Sequence, residues 1–417
     1  MAIAKADFSD RALGEADGAQ GAQGAPRIYY LHPTIGGGPE AWPTHVARAA
    51  QLGFRHILLA WPFSATADLF LTDDLDIIAG RPAKEALAAL AAACRNHELA
   101  FWIDLAPAQA SGHGALARAQ PESWLRPETR GIDPRILHRT PVLQADFARA
   151  SRALVALWQE QLELWQGIGV SGVRCHAAER LPLATWREIL EPARRRDPHF
   201  AAFAWMPGAP RDAARAAAEL FDYLPSSAAW WDGRSPWLAQ EYNDLAERAA
   251  VIGFPVDPFA ARGPGPSPVN PDRNRQMALS AASLLGDGWL MPMGFEYGMD
   301  VPFAQAGSED FEAAQASGPR FAAQIEAANR FLAAMPGDAG GSLRLLQAVG
   351  DQTALLRTSR NGSSHLVVLN RDPINACRPD LALLSAQAGG RPSVTMEDIV
   401  VAPAEGLALP LSPALPV

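Results

Sequence analysis

The sequence predicts an α/β protein: a closed (β/α)8 TIM barrel followed by a C-terminal antiparallel β-sandwich domain. From residue 27 onward, short apolar segments alternate with amphipathic ones, a pattern typical of parallel strands joined by crossover helices. Eight strand and helix pairs can be found, which is the number that closes a barrel of this type. After about Met335, glycine-rich turns and short alternating runs favour an antiparallel sandwich.

Each barrel strand is predicted where a short run of apolar residues is bounded by polar or turn residues. In chain order the eight strands are Ile28–Leu31, His56–Trp61, Ala100–Leu105, Gly172–Cys175, Ala201–Trp205, Phe221–Leu224, Val251–Val256 and Trp289–Met293. The helices between and after them show apolar residues at helical spacing. They are Glu40–Leu52, Ala83–His97, Ala145–Gly167, Leu183–Arg195, Arg211–Leu220, Pro236–Ala250, Asp272–Leu285 and Glu309–Ala334.

The sandwich strands are predicted from residues that alternate between apolar and polar. They are Leu343–Ala348, Thr353–Arg357, Leu366–Asn370, Ser393–Met396 and Ile399–Ala402. The domain boundaries follow: a flexible leader over 1–26, the barrel over 27–336 and the sandwich over 337–417. Residues 106–144 are longer than a loop between a strand and a helix needs to be, so we expect an excursion over the mouth of the barrel.

An open, doubly wound sheet is the alternative architecture. A phosphate-binding glycine fingerprint would favour it, but the Gly36–Gly38 run lacks both the Gly-Lys-Ser/Thr continuation and the dinucleotide spacing. We therefore interpret this run as a loop.

Charge and composition exclude several classes of function. The chain carries 36 Lys and Arg against 45 Asp and Glu, and its basic residues form no stripe, so a nucleic-acid partner is not expected. Its three cysteines are too few and too scattered for a disulfide framework, and no apolar run reaches membrane-spanning length. A soluble, cytoplasmic protein without a cofactor is predicted.

Several segments of the predicted barrel resemble the α-amylase family, glycoside hydrolase family 13. Gly172–Ala178 looks like the family's fourth-strand motif, Phe203–Trp205 ends where the fifth strand would carry the acid/base Glu, and Phe254–Phe259 falls where a His-Asp pair follows the seventh strand. Within the family, Tyr30–Gly36 and Met291–Gly298 look most like the maltosyltransferases that use maltose 1-phosphate to extend α-1,4-glucan. The resemblance spans nearly the whole chain from residue 27.

The resemblance also implies that the catalytic positions are degenerate. Retaining cleavage of a glycosidic bond needs two carboxyl groups roughly 5–5.5 Å apart, one as nucleophile and one as acid. Those positions hold His176 and Trp205. An imidazole does not readily supply the usual glycosyl-ester intermediate, and an indole N–H has no proton to give at any relevant pH. The third family carboxylate aligns with Phe259 or, with a two-residue slip, with Asp257.

Other polar residues near the predicted mouth have two readings each. Arg174 either faces the mouth, where the family's Arg orients the nucleophile, or is a buried Arg that pairs with Asp104. Glu296 and Asp257 could form a replacement acid/base pair, or Glu296 could cap a turn or pair with an Arg. His32 and His176 lack metal-ligand spacing, so no metal site is expected.

Aromatic residues at strand ends are candidates for sugar binding, because a flat ring suits the C–H face of a glucose unit. We predict a substrate-binding set at the mouth that consists of His32, Trp61, Arg174, Trp230 and Trp231.

Three functional hypotheses follow. The first is a catalytically degenerate domain in α-glucan or maltosyl metabolism that binds glucan or a maltooligosaccharide, or supports a catalytic maltosyltransferase partner or domain. The second is an active α-glucan transferase or hydrolase that uses Asp104, Asp257 or Glu296. The third is a filled barrel that serves only assembly.

Overall fold

The computed structural model describes residues 25–64, 69–125, 142–259, 270–335, 340–392 and 399–413. Eight parallel strands close into a barrel in which neighbours along the chain are neighbours in space. They are β1 (Arg27–Leu31), β2 (His56–Leu59), β3 (Ala100–Leu105), β4 (Gly172–His176), β5 (Ala201–Trp205), β6 (Tyr223–Pro225), β7 (Ala250–Gly253) and β8 (Gly288–Pro292). Ile28 of β1 lies opposite both His56 of β2 and Leu290 of β8, which closes the ring. The predicted barrel is confirmed.

Nine helices among the described residues accompany the barrel strands. They are α1 (Trp42–Gln51), α2 (Ala83–Asn96), α3 (Ser151–Ile168), α4 (Leu183–Arg196), α5 (Arg211–Ala217), α6 (Trp237–Ala246), α7 (Pro271–Leu284), α8 (Ser308–Ala316) and α9 (Ala322–Ala333). A further short helix, Ala115–Ala119, lies in the excursion. The last predicted helix is two helices, because Gly318 takes a left-handed conformation and Pro319 follows it.

Helix α3 shows why these segments are helical. It buries one stripe of apolar side chains at helical spacing and ends at Gly169, whose φ of 119° suits glycine. The buried stripe is Leu154, Val155, Trp158, Leu162 and Trp165. These side chains attach the helix to the barrel wall.

The segment predicted as an excursion forms a small antiparallel sheet of its own. Its strands, in spatial order, are Gln109–Ser111, Val142–Ala145 and Trp124–Leu125. Residues 126–141 lie outside the described part of the chain. Ala110 also bridges to Thr72, so the excursion contacts the loop that follows β2.

The C-terminal domain is an antiparallel sheet, as predicted. Its strands are β9 (Ser342–Val349), β10 (Gln352–Thr358), β11 (Ser364–Asn370), β12 (Gly390–Pro392) and β13 (Glu405–Pro413), in the spatial order β9-β10-β11-β13-β12. One face, with Leu355 and Val367, joins the core of the barrel, and the other packs on helix α10 (Leu381–Ala388). Among the described residues, this helix is the second layer of the domain.

Two predicted strands of this domain have other outcomes. Residues 393–398, which include the predicted strand Ser393–Met396, lie outside the described residues. Ile399–Ala402 is wrong as a strand, because only Val401 makes a bridge, to Cys377. The last strand is instead β13, whose prolines at 410 and 413 hide it from a strand pattern.

The predicted leader is described only at its end. Residues 1–24 lie outside the described residues, and the carbonyl of Pro26 already accepts a hydrogen bond from the Trp289 backbone at 2.9 Å. No described helix is long and apolar enough to cross a membrane.

Candidate functional site

The carboxyl ends of the eight strands surround a mouth whose centre is a buried ion pair. Asp104 of β3 accepts hydrogen bonds from Nε and Nη2 of Arg174, on β4, at 2.7 and 2.8 Å. The hydroxyl of Tyr30, on β1, donates to the same carboxylate at 2.7 Å, and the Trp61 backbone donates at 3.3 Å. Both charged side chains are fully buried. The predicted pairing of Arg174 with Asp104 is therefore the arrangement found.

The electrostatics of this pair are set by burial and by mutual attraction. Burial alone would lower the pKa of Arg174, but Asp104 and Tyr30 outweigh it and raise that pKa. Burial raises the pKa of Asp104, and the guanidinium opposes that shift. Both oxygens of Asp104 accept hydrogen bonds from neighbouring strands and loops, so the carboxylate is part of the structural hydrogen-bond network of the barrel.

An aromatic cage, formed by Tyr30, Trp205 and Phe259, surrounds the Arg174 guanidinium. Its Cζ atom lies 4.1, 4.7 and 5.1 Å from the three ring centres, within cation–π range. Trp205 ends β5 and is 2% exposed. The position where the resemblance places the acid/base carboxyl thus holds a ring that packs on the buried cation.

His176, which ends β4, stands where the resemblance places the nucleophile. Its ring stacks on Phe70, with centres 3.5 Å apart and planes at 6°, and meets the edge of Phe259. Burial lowers its pKa well below the usual 6.5, and the charges of Arg174 and Arg180 lower it further. The imidazole is therefore neutral at physiological pH and lies against the rings of Phe70 and Phe259.

Each of the two other predicted carboxylates accepts a hydrogen bond from the backbone of its own loop. Glu296 is fully buried and accepts hydrogen bonds from the Tyr29 hydroxyl at 2.6 Å and the Gly294 backbone at 2.9 Å. Burial raises its pKa. Asp257 accepts a hydrogen bond from the Phe259 backbone at 2.9 Å. Glu296 thus caps a turn, the alternative that the sequence left open.

His32 organises the loop after β1. Its Nδ1 atom accepts hydrogen bonds from the backbones of Thr34 and Ile35, at 3.2 and 3.3 Å, and its ring meets the edge of Phe303. Burial lowers its pKa to about 4, so the ring is neutral. With Nδ1 accepting, the ring proton is on Nε2.

The predicted tryptophans lie in different environments. Trp61 is fully buried and packs on Trp158 and Trp165 of α3, so it does not face an open groove. Its placement at a sugar-binding mouth needs correction, because the strand end turns this side chain towards the helix layer. Trp230 is 48% exposed, and Trp231 is partly buried.

No group of three or more His, Cys, Asp or Glu side chains in the described parts of the chain is placed to hold a metal ion. A surface cavity of about 450 Å³ lies between α5 and α6, away from the mouth. Its wall consists of opposed charges, such as Arg215 with Asp244 and Arg248 with Glu219. These exposed ion pairs satisfy one another and do not form a site.

The sequence analysis missed Phe70 and did not assign a role to Tyr30. Tyr30 could have been found, because it occupies the same side of its strand as other inward-facing residues. Phe70 lies in a loop within a Leu-Phe-Leu run, and nothing in that run indicates which side chain turns inward.

The fold is a (β/α)8 barrel with a C-terminal β domain, an architecture that solved α-amylases share. Among solved structures, the α-amylase of Geobacillus thermoleovorans in complex with acarbose matches with a TM-score of 0.69 at 12% identity, covering 93% of this chain and 98% of that one. The cyclic α-maltosyl-(1→6)-maltose hydrolase of Arthrobacter globiformis matches with a TM-score of 0.67 at 15% identity, covering 93% and 98%. At these identities the likeness concerns the fold.

In sequence, the chain is similar to the alpha-1,4-glucan:maltose-1-phosphate maltosyltransferase of Burkholderia pseudomallei (strain K96243). The two are 29% identical over 388 residues, which cover 86% of this chain and 33% of the relative. The chain thus spans about a third of the length of that relative. No family model matches the chain. The sequence and structural matches together support the resemblance to the α-amylase family.

Proposed function

We propose that this chain is a catalytically degenerate α-amylase-family domain in α-glucan or maltosyl metabolism, where it binds glucan or supports a catalytic maltosyltransferase partner. The observation that carries the proposal is the composition of the mouth. The resemblance aligns His176 and Trp205 with the family's nucleophile and acid, and both side chains pack against aromatic rings around a buried ion pair. The glucan class comes from the relative, whose name gives it that substrate.

The chemistry at these two positions supports this reading. A neutral imidazole does not readily supply the glycosyl-ester intermediate of retaining cleavage, and an indole N–H has no proton to give in the relevant pH range. Loss of a nucleophile or of a general acid lowers rates by several orders of magnitude. Two losses within one mouth leave positioning alone.

Catalysis by Asp104, Asp257 or Glu296 is the alternative. Each of these carboxylates already accepts a hydrogen bond: Asp104 from Arg174, Asp257 from the Phe259 backbone and Glu296 from the Tyr29 hydroxyl. Asp104 and Glu296 are fully buried, so any acid/base pair drawn from the three includes at least one carboxylate that is closed to solvent. The geometry therefore favours the degenerate domain.

A turnover assay tests the proposal. The purified chain is incubated with maltoheptaose and, separately, with maltose 1-phosphate plus glycogen, and released sugars and phosphate are measured. We expect no product above the level of Asp257→Asn and Glu296→Gln, with the Burkholderia pseudomallei maltosyltransferase as positive control. Turnover by the unaltered chain that either substitution abolishes would overturn the proposal.

A further inference from the structure

Two tryptophans near the rim of the barrel are exposed, although most of the described tryptophans are buried. Trp230 is 48% exposed and Trp237 is 37% exposed. Trp230 lies within the β6–α6 loop, Ser226–Pro236, which follows strand β6 at the mouth end of the barrel, and Trp237 is the first residue of α6 directly after that loop. Large exposed apolar side chains lose the stabilisation that burial would give, so two of them within eight residues indicate a contact surface.

The β6–α6 loop is held in one conformation by its own polar groups. The Asp232 carboxylate accepts hydrogen bonds from the backbones of Arg234 and Ser235 at 2.9 and 2.8 Å and from the Ser235 hydroxyl at 2.6 Å. The Trp231 indole donates to the Ser235 carbonyl at 2.8 Å. These bonds leave the loop little freedom.

The C-terminal sheet fixes the same loop from the other side. The Thr353 hydroxyl of β10 donates to the Gly233 carbonyl, and Arg234 donates to the Gly350 carbonyl at 3.1 Å. Gly233 has a φ of 73° and packs so tightly on Arg371 that a Cβ atom there would come within 2.3 Å of its side chain. The loop is therefore clamped between the barrel and the sheet.

The Trp230 ring is supported from within. It meets Phe254 edge to face at 5.5 Å, and Phe254 packs on Trp205 at 5.0 Å. Phe254 thus forms the base on which the exposed indole rests. A ligand meets a ring whose orientation is already set, which reduces the entropy lost on binding.

We propose that the β6–α6 loop and the start of α6 form an α-1,4-glucan platform beside the barrel mouth, with glucose units stacked on Trp230 and Trp237 and the loop positioned by the C-terminal sheet. This inference rests on the proposed function for its ligand class. The surroundings favour a sugar, because Asp232, Arg234 and Ser235 supply charged and hydroxyl groups in the chain segment between the two tryptophans, which suits a ligand with apolar faces and hydroxyl edges. A protein partner would need a larger continuous apolar area.

Affinity electrophoresis through glycogen gels, together with calorimetric titration of β-cyclodextrin, a cyclic α-1,4-glucan, tests the platform. We expect the unaltered chain to be retarded and Trp230→Ala to weaken β-cyclodextrin binding about tenfold or more, as for a central aromatic contact. Trp237→Ala should weaken it as well. Leu164→Ala on α3, where the side chain is 40% exposed, is the matched control and should bind like the unaltered chain.

The positioning role of the sheet has its own test. Thr353→Val removes the hydroxyl that donates to Gly233, and Thr353→Ser keeps it. We expect Thr353→Val to weaken β-cyclodextrin binding severalfold and Thr353→Ser to restore the affinity, whereas a merely structural role would change only the unfolding midpoint.

The outcomes separate this inference from the proposed function. An unaltered chain that is not retarded, or a Trp230→Ala chain retarded equally, overturns the platform while the turnover assay still decides whether the domain is degenerate. Turnover alongside Trp230-dependent binding overturns the degenerate reading and leaves the platform in place.

Discussion

Arg174 and Asp104 illustrate how a single residue pair constrains the mouth. Their charges are fully buried and bonded to each other, to Tyr30 and to one backbone N–H, and Nη1 of Arg174 has no hydrogen-bond partner among the described residues. A buried pair of this kind adds little net stability, but removal of one partner leaves an uncompensated charge in a medium that cannot solvate it. The pair is thus a fixed part of the scaffold whether or not the domain reacts.

We expect Asp104→Asn to lower the free energy of unfolding by about 3–5 kcal/mol, because Arg174 then lacks its counter-charge. Urea unfolding followed by circular dichroism measures the change. Glu191→Gln is the control, since its partner Arg195 and Glu191 itself are 65% and 58% exposed and such surface pairs are worth less than about 1 kcal/mol. Equal losses in the two variants would contradict the assigned role of burial.

At the residue scale, the sequence predicted which residue holds a position better than it predicted where the side chain points. The family resemblance singled out His176 and Trp205, and the structure has these residues at the ends of β4 and β5. The sequence also left open that Arg174 pairs with Asp104. It placed Trp61 at the mouth, although that side chain packs on α3, because the direction of a side chain past a strand end depends on the loop that follows.

Strand β7 and helix α7 show how elements are brought together. Gly253 ends β7, and a Cβ atom at this position would lie 2.0 Å from the Ala282 carbonyl oxygen of α7. The helix backbone can approach the barrel only because glycine has no side chain. The close approach also brings α7 under the C-terminal strands β11 and β13.

We expect Gly253→Ala to destabilise the protein by about 3 kcal/mol, since the methyl group must push backbone apart. Gly167→Ala in α3 should instead stabilise it by up to about 1 kcal/mol, because nothing lies within 4 Å of the added methyl and alanine favours a helix. Thermal unfolding of both variants measures whether Gly253→Ala lowers the stability and Gly167→Ala raises it. A Gly253→Ala protein as stable as the unaltered chain would contradict the close approach.

The C-terminal sheet and the barrel share one core in the whole molecule. Leu355, Val367 and Leu369 of the sheet belong to the same apolar cluster as the barrel strands and helices. Ala354, Leu366 and Val368 face α10 instead. Alternate residues along β10 and β11 therefore face opposite sides of the sheet. One set packs in the core shared with the barrel, and the other packs on α10.

We expect the two domains to unfold together, because separation would expose the shared cluster. All twelve tryptophans lie at or before Trp289, so tryptophan fluorescence reports the barrel, whereas far-UV circular dichroism reports both domains. The two signals should give the same urea midpoint. An earlier or later second transition seen only by circular dichroism would show that the sheet unfolds independently.

The sequence by itself determined the (β/α)8 barrel and the antiparallel C-terminal domain. Periodicity and residue identity are local properties, and they survive whatever the chain packs against. Only the tertiary structure decided that rings from β1, β5 and the loop after β7 enclose Arg174, that Glu296 and His32 hold turns, and that the sheet clamps the β6–α6 loop. Those contacts join residues far apart in the chain, so their geometry depends on strand register, loop paths and packing, which no local pattern encodes.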